Sequence, residues 1–176
     1  MMTSQAARTK LLGLSVLVLV AAILVVGIAA ITKPGDRQNG PLRTNSTTNV
    51  EFGLRSDETA SWGVDLPANP TDADITFVSA ELVDPVGLSI LGVTMNRSNT
   101  GGIVNAYGYP PAGMEVFPVE GSTVPAGGDI QVIVGVQLPE GNAEGTIEGV
   151  RVTYVAAGQT YEIMLPYSLR IIPKTE

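Results

Sequence analysis

The chain has 176 residues, a formal net charge of −7, and neither cysteine nor histidine. The missing cysteines exclude disulfides, thiolate metal sites and thiol nucleophiles, and the missing histidines exclude the Ser-His-Asp and Cys-His forms of catalysis. From Glu51 onward there are sixteen acidic and five basic residues, a net charge of −11 that would repel nucleic acid.

The remaining side chains offer few routes to catalysis. Lys10, Lys33 and Lys174 are the only lysines and lie outside the expected domain core, which disfavours a Ser-Lys dyad or a Schiff-base lysine. We therefore expect no enzymatic activity and no cofactor. The enzymatic alternative is a carboxylate-based hydrolase, which requires two acids facing one pocket.

Residues 11–31, LLGLSVLVLVAAILVVGIAAI, form the first predicted element, a transmembrane helix that follows a short cytoplasmic tail at residues 1–10. Twenty-one uncharged residues give a helix of about 31 Å, which matches the roughly 30 Å hydrocarbon core of a bilayer. Their fourteen Leu, Ile and Val residues favour insertion by about 4–8 kcal/mol. The lipid bilayer is thus one predicted partner.

This stretch has two other interpretations. A cleavable secretion signal has an apolar core of about 7–15 residues, although Gly27 and Ala29 offer the small residues of a cleavage site, so a secreted domain stays open as an alternative. A type IV pilin helix is excluded because no acidic residue precedes Asp36. Ser15, Ala22 and Ala29, spaced by seven, place small side chains on one stripe where a second helix can pack, unless their spacing arose by chance.

Residues 32–49, TKPGDRQNGPLRTNSTTN, show no periodicity and are rich in Thr, Asn, Pro and Gly. Such a segment predicts a flexible stalk with an r.m.s. reach of about 20–25 Å. Positive charges on the two flanks of the helix nearly balance. The stalk therefore decides the predicted orientation, with a cytoplasmic N-terminus and an extracytoplasmic domain at residues 50–176.

The domain alternates apolar and polar residues with the period of two that is typical of β-strands. In DIQVIVGVQLP (129–139) one face consists of the apolar positions Ile130, Val132, Val134, Val136 and Leu138. GTIEGVRVTYVAAG (145–158) and TYEIMLPYSLRIIP (160–173) predict a hairpin. Pro166 in the second of these strands lacks an N–H and predicts a sheet edge or a bulge.

Five further segments complete seven or eight strands. They are NVEFGLR (49–55), ADITFVSAELVDP (73–85), GLSILGVTMNR (87–97), GGIVNAYGYPP (101–111) and GMEVFPVE (113–120). No helix-length pattern follows Ile31. We predict an all-β domain built as an immunoglobulin-like two-sheet sandwich of seven to eight strands, preceded by one transmembrane α-helix; a small barrel is the alternative.

The general plan of an anchor, a polar stalk, and then ITFVSAELVDPVGLSILGV and YEIMLPYSLRI resembles small bacterial membrane-anchored proteins with an immunoglobulin-like extracytoplasmic domain. The resemblance implies that fold and that location. It carries no functional residues.

Asp65, Asp72 and Asp74 cluster in VDLPANPTDAD (64–74). Loop carboxylates are ligands that calcium prefers, so a calcium or small-ligand site is one hypothesis. The spacing lacks the EF-hand pattern, and solvated acids at strand ends explain the same residues.

Tyr107 and Tyr109 flank Gly108 in NAYGYPPAGM (105–114), where two prolines stiffen the chain. Tyrosines on a rigid loop make good contacts with a partner protein, although both rings can equally fold onto the core. Trp62 carries the same two interpretations. We expect a non-enzymatic anchored domain that binds or scaffolds another membrane or envelope protein, as an accessory subunit or interaction module.

Overall fold

The structure, a computed structural model, describes residues 40–44, 47–97 and 105–174. Within these ranges the regular elements are all β-strands. No helix in this part of the chain is long and apolar enough to cross a bilayer. The predicted transmembrane helix at 11–31 and its stripe of Ser15, Ala22 and Ala29 lie outside the described residues.

Twelve strands occupy the described residues. In chain order they are β1 (Thr48–Leu54), β2 (Thr59–Asp65), β3 (Ile75–Val83), β4 (Ser89–Asn96), β5 (Asn105–Tyr107), β6 (Phe117–Pro118), β7 (Thr123–Val124), β8 (Gln131–Gln137), β9 (Gly145–Ile147), β10 (Gly149–Ala156), β11 (Gln159–Leu165) and β12 (Tyr167–Pro173).

Hydrogen bonds join these strands into three sheets, ordered β1-β12-β9, β11-β10-β3-β7 and β5-β2-β8-β4-β6. The β1-β12 pair is parallel, and the other pairs are antiparallel. All three sheets contribute to one hydrophobic cluster, for example through Trp62, Tyr154 and Ile171. The all-β prediction is confirmed for the described residues, which form twelve strands in three sheets where seven to eight strands in two sheets were expected.

The extra strands and the third sheet arise partly from a bend in the predicted hairpin. The hairpin continues past the bend, because Val150 pairs with Leu165 and Ile147 pairs with Leu169. Pro166 interrupts one arm between β11 and β12, and Glu148 interrupts the other between β9 and β10. Proline cannot donate a ladder hydrogen bond, so the strand changes sheets where the sequence predicted an edge or a bulge.

Strand β8 has the inward face that its alternation predicts. The apolar positions of that face are all buried, namely Ile130, Val132, Val134, Val136 and Leu138. Its opposite face is also covered, since Gln131 and Ile133 are buried.

Residues 108–116, which we call the strap, cover part of that opposite face. The strap leaves β5, which pairs with β2, and returns to β6, which pairs with β4. Between these points the Tyr109 ring lies on two glycines of the sheet: a Cβ at Gly92 would lie 2.5 Å from the Tyr109 hydroxyl, and one at Gly135 would lie 2.5 Å from both ring Cδ atoms. The glycines give the ring the space that it occupies.

Strand β2 was absent from the predicted set. Its five central residues are all buried, because Ala60, Trp62 and Val64 face the core and the Ser61 hydroxyl on the other face donates to the carbonyl oxygen of Gly108 in the strap. The segment does alternate, with Ala60, Trp62 and Val64 in the core cluster and Ser61 and Gly63 between them, but it is too poor in large apolar residues to be assigned to a strand from the sequence.

Residues 40–44, which the sequence analysis assigned to the stalk, pack onto the domain. Leu42 is buried in the core cluster, and its N–H donates to the Tyr154 hydroxyl at 3.1 Å. A Cβ at Gly40 would lie 2.8 Å from the Cβ of Tyr161. The folded unit therefore begins upstream of residue 50, because the apolar Leu42 is buried and its amide has a partner.

Candidate functional site

Tyr107, one of the predicted contact residues, lies where the edges of two sheets meet. Its ring centroid is 4.8 Å from that of Phe52 on β1, and the Lys174 Nζ lies 5.3 Å from the Tyr107 ring centroid. The Tyr107 hydroxyl is 3.5 Å from the Gly53 carbonyl oxygen. Tyr107 is nonetheless 53% exposed. We call Phe52, Tyr107 and Lys174 the Tyr107 surface.

The contacts within the Tyr107 surface orient the ring. An aromatic pair contributes about 0.5–1.5 kcal/mol and an exposed cation–π contact about 0.5–1 kcal/mol. A ring that is already oriented loses little conformational entropy when a partner covers it. The three side chains therefore present an oriented and half-exposed aromatic ring at the surface of the domain.

Tyr109 and Trp62, the other two predicted contact residues, pack against other parts of the domain; Tyr109 is half-buried and Trp62 is buried. Tyr109 lies against the five-stranded sheet, with its hydroxyl 3.4 Å from the Thr94 Oγ1. Trp62 is fully buried in the core cluster, and its Nε1 has no hydrogen-bond partner. Trp62 therefore offers no surface to a partner.

Asp65, Asp72 and Asp74 are not brought together. No group of three acidic side chains in the described ranges could hold a metal ion. Asp65 ends β2 and accepts a hydrogen bond from Gln131 Nε2 at 2.6 Å, whereas the other two are exposed in the next loop.

That loop is organised by the buried Asn69 instead. The Asn69 Nδ2 donates to the carbonyl oxygens of Ala73 and Val124, and its Oδ1 accepts from the N–H and hydroxyl of Thr71. The Asn69 amide therefore holds the loop through hydrogen bonds within the protein.

A cleft of about 420 Å³ adjoins the Tyr107 surface. It lies between the β1–β2 turn, the segment after β8 and the end of β12, and Lys174 contributes to both the cleft and the Tyr107 surface. Arg55 and Asp57 line it on one side and Glu140 on another. Because the lining of the cleft carries charges of both signs, its charge favours neither an anionic nor a cationic ligand.

Among the residues that the structure describes, two side chains have shifted pKa values. Hydrogen bonding to Glu144 raises the pKa of the exposed Arg170, which also pairs with Glu51. Burial raises the pKa of Tyr154 above its ordinary value of 10.0. Neither shift brings a proton donor or acceptor close to neutral pH, so neither group is tuned for general acid–base chemistry.

Phe52 and Lys174 were missed by sequence reasoning. Phe52 alternates with polar residues in β1 and was counted only as part of a strand. Lys174 is the only lysine after Lys33, and its position just after the last apolar run is the one signal that it meets a folded surface. Their contacts with Tyr107 arise from long-range pairing of β1 with β12, which the local pattern does not encode.

No protein-family model matches the sequence, and no curated protein is significantly similar to it. Among solved structures, the chain is similar to the ASH / PapD-like domain of human CEP192 (PapD-like domain 7), with 16% identity, a TM-score of 0.43, and coverage of 84% of this chain and 92% of that one.

Two larger proteins are also similar over part of their length. Vibrio cholerae VesB protease shares 11% identity with a TM-score of 0.42, over 78% of this chain and 33% of that chain. A family 123 glycoside hydrolase from Clostridium perfringens shares 18% identity with a TM-score of 0.36, over 73% of this chain and 23% of that chain. Similarities of this size say nothing about activity.

Proposed function

We propose that this protein is a non-enzymatic, single-pass membrane protein whose acidic, immunoglobulin-like sandwich lies outside the cytoplasm and binds or scaffolds another membrane or envelope protein. The observation that carries the proposal is the exposed Tyr107 ring, oriented by Phe52 and Lys174. The apolar stretch at residues 11–31 supports the anchor.

The Tyr107 surface has the composition of a partner contact. Tyrosine provides a large contact area with few rotatable bonds, and residues of this kind dominate the energetics of interfaces. Lys174 supplies a positive charge in a strongly acidic domain. We therefore expect the partner to place an apolar group on the Tyr107 ring and an acidic or carbonyl oxygen near Lys174.

Copurification in mild detergent tests this contact. The full chain should bring a second protein with it, and Tyr107→Ala should reduce the recovered partner by about tenfold, as loss of a hot-spot residue does. Met164→Ala is the matched control, because Met164 is exposed on β11 in a different sheet. A chain that always purifies alone, or equal recovery with both variants, would refute the proposal.

The orientation has its own test, made simple by the absence of cysteine. Ser4→Cys lies in the predicted tail and Ser56→Cys in the exposed β1–β2 turn, and each variant carries a single thiol. A membrane-impermeant maleimide should label Ser56→Cys in intact cells and label Ser4→Cys only after lysis. Mass spectrometry of the mature N-terminus identifies the secreted alternative, which would begin just after Ala29.

A further inference from the structure

One edge of the five-stranded sheet lacks a neighbouring strand within the described part of the chain. Strand β4 pairs with β8 along one edge, but on its other edge β6 pairs only with Thr94 and Met95. Residues 89–93 therefore present an edge without a partner strand among the described residues. Backbone groups on such an edge can pair with another strand.

Large apolar side chains accompany this edge. Of the six exposed in the described residues, three lie within residues 86–91, namely Val86, Ile90 and Leu91. Ile90 pairs with the inward-facing Val136, yet Ile90 is 39% exposed. Leu91 is 42% exposed. It is the extra residue of a β-bulge, because Ile90 pairs with Val136 and Gly92 pairs with Gly135, which leaves Leu91 without a partner on β8. Val86 precedes β4 and pairs with Thr146 of β9, so something that covers this edge would cover Ile90 and Leu91.

The charge pattern indicates what covers it. Edge strands are commonly protected by charged side chains, but residues 85–96 carry none, in a domain with a net charge of −11 from Glu51 onward. This uncharged run ends in Asp84 on one side and Arg97 on the other, and both are exposed. In an antiparallel arrangement of two β4 strands, the Ser89 end of one strand, which follows Asp84, lies beside the Asn96 end of the other, which precedes Arg97.

We propose that a second copy of this chain covers residues 89–93, through antiparallel pairing of two β4 edges about a two-fold axis. A strand edge is self-complementary under that symmetry, and the contact closes as a pair because each copy uses its own free edge. The uncharged run lets two acidic domains meet without placing like charges directly opposite one another. A basic partner strand would instead be drawn to the acidic surfaces.

Cysteine cross-linking of the full chain in mild detergent tests the proposal, since each variant carries one thiol in a cysteine-free sequence. Leu91→Cys lies at the midpoint of residues 89–93, so the symmetry brings the two thiols together. Val78→Cys is the matched control, at 43% exposed and on β3. We expect disulfide-linked dimer to form roughly tenfold faster for Leu91→Cys, through the higher effective concentration of the paired thiols.

Salt dependence and a second substitution sharpen the result. Raising NaCl from about 0.05 to about 0.5 M should speed the Leu91→Cys reaction, because salt screens the repulsion between the two domains. Adding Ile90→Lys should return the rate to that of Val78→Cys, by placing charge in the contact. Equal rates for Leu91→Cys and Val78→Cys, or cross-linking that slows with salt, would overturn the proposal, as would a cross-link from Leu91→Cys only to a different polypeptide.

Discussion

The five-stranded and four-stranded sheets bury similar inner faces but differ in their outer faces. The strap covers the outer face of the five-stranded sheet, where Tyr109 lies on Gly92 and Gly135. On the four-stranded sheet, Glu81, Arg151 and Met164 pair across three strands and are exposed. The five-stranded sheet is therefore covered on its inner side and, beneath the strap, on part of its outer side, whereas the outer side of the four-stranded sheet is open.

The difference is visible in the burial of the strands. In β10 the residues Val150, Val152 and Tyr154 are buried and Arg151 is exposed, as one-sided burial requires. In β2 all five central residues are buried. A covered outer face needs small residues beneath the covering segment, and an open one tolerates long charged side chains. Substitutions on the two faces should consequently differ in cost.

The largest effect is expected from Gly135→Ala. A Cβ there would lie 2.5 Å from both Cδ atoms of Tyr109, so the ring must leave the sheet. Overpacking of this kind costs about 2–3 kcal/mol in the free energy of unfolding. Urea unfolding followed by the fluorescence of Trp62, the single tryptophan of the sequence, measures the change.

Gly53→Ala is the control for Gly135→Ala. Gly53 also lies in a strand, and a Cβ there would meet its nearest neighbour, the Lys174 Cβ, at an ordinary 3.7 Å. Because alanine loses less conformational entropy than glycine, this change should be neutral or stabilising by up to about 1 kcal/mol. Equal destabilisation by the two substitutions would show that Tyr109 does not cover Gly135.

The same contrast explains how far the sequence predicted the fold. Alternation correctly placed the inward faces of β8 and β10 because each strand has a large apolar residue at every second position, and these positions face inward. It missed β2, where only Ala60, Trp62 and Val64 are apolar and the intervening Ser61 and Gly63 are buried as well. It also split off residues 40–44, since a short polar segment with one leucine carries no periodic signal.

The candidate site was predicted in part. Exposed Tyr107 was among the candidate residues, but its supports Phe52 and Lys174 come from the two ends of the domain. The sequence alone does not distinguish Tyr109 and Trp62 from Tyr107. The structure does, because the strap lays Tyr109 on the five-stranded sheet and the position of β2 between β5 and β8 places Trp62 in the core. Local sequence therefore supplied the residue types, and the long-range topology decided which one is exposed.

A smaller loss is expected on the inner side of the four-stranded sheet from Tyr154→Phe. The substitution removes the hydroxyl that accepts the Leu42 N–H and leaves that buried amide without its partner. An unpaired buried donor costs about 1–2 kcal/mol. Hydrogen exchange at Leu42 should also accelerate. The control is Tyr161→Phe, whose exposed hydroxyl donates to Gln159 Oε1 and should cost little.

Tyr154 also makes the alkaline stability of this sheet predictable. Burial raises the pKa of Tyr154 in the folded chain above its ordinary value of 10.0. At a pH between the ordinary pKa and the raised pKa, the unfolded chain therefore loses the Tyr154 proton more readily than the folded chain. Stability should therefore be full below that ordinary pKa and fall as the pH rises above it. The fall should be smaller in Tyr154→Phe, and an unchanged alkaline profile would contradict the assignment to Tyr154.

A gain is expected at the turn of the β10–β11 hairpin, at the end of the open sheet. Ala157 has a φ of 48° and is followed by Gly158 with a φ of 76°, a left-handed pair that favours Asn-Gly. Ala157→Asn should stabilise the domain by about 0.5–1 kcal/mol, because asparagine tolerates this conformation better than alanine. Thermal unfolding measures it, with the exposed Glu140→Asn as a control that changes no left-handed residue.

The smallest effect should come from Arg151→Ala on the open outer face. The Arg151 Nε lies 3.3 Å from Glu162 Oε1, and exposed pairs of this kind contribute about 0–0.5 kcal/mol. Thr94→Ala truncates a polar group beneath the strap, where the Thr94 hydroxyl contacts the Tyr109 hydroxyl and the Ile133 carbonyl oxygen. That change should cost about 1 kcal/mol. If urea unfolding gave equal losses, or a larger loss for Arg151→Ala, the two outer faces would not differ in the way that their coverage requires.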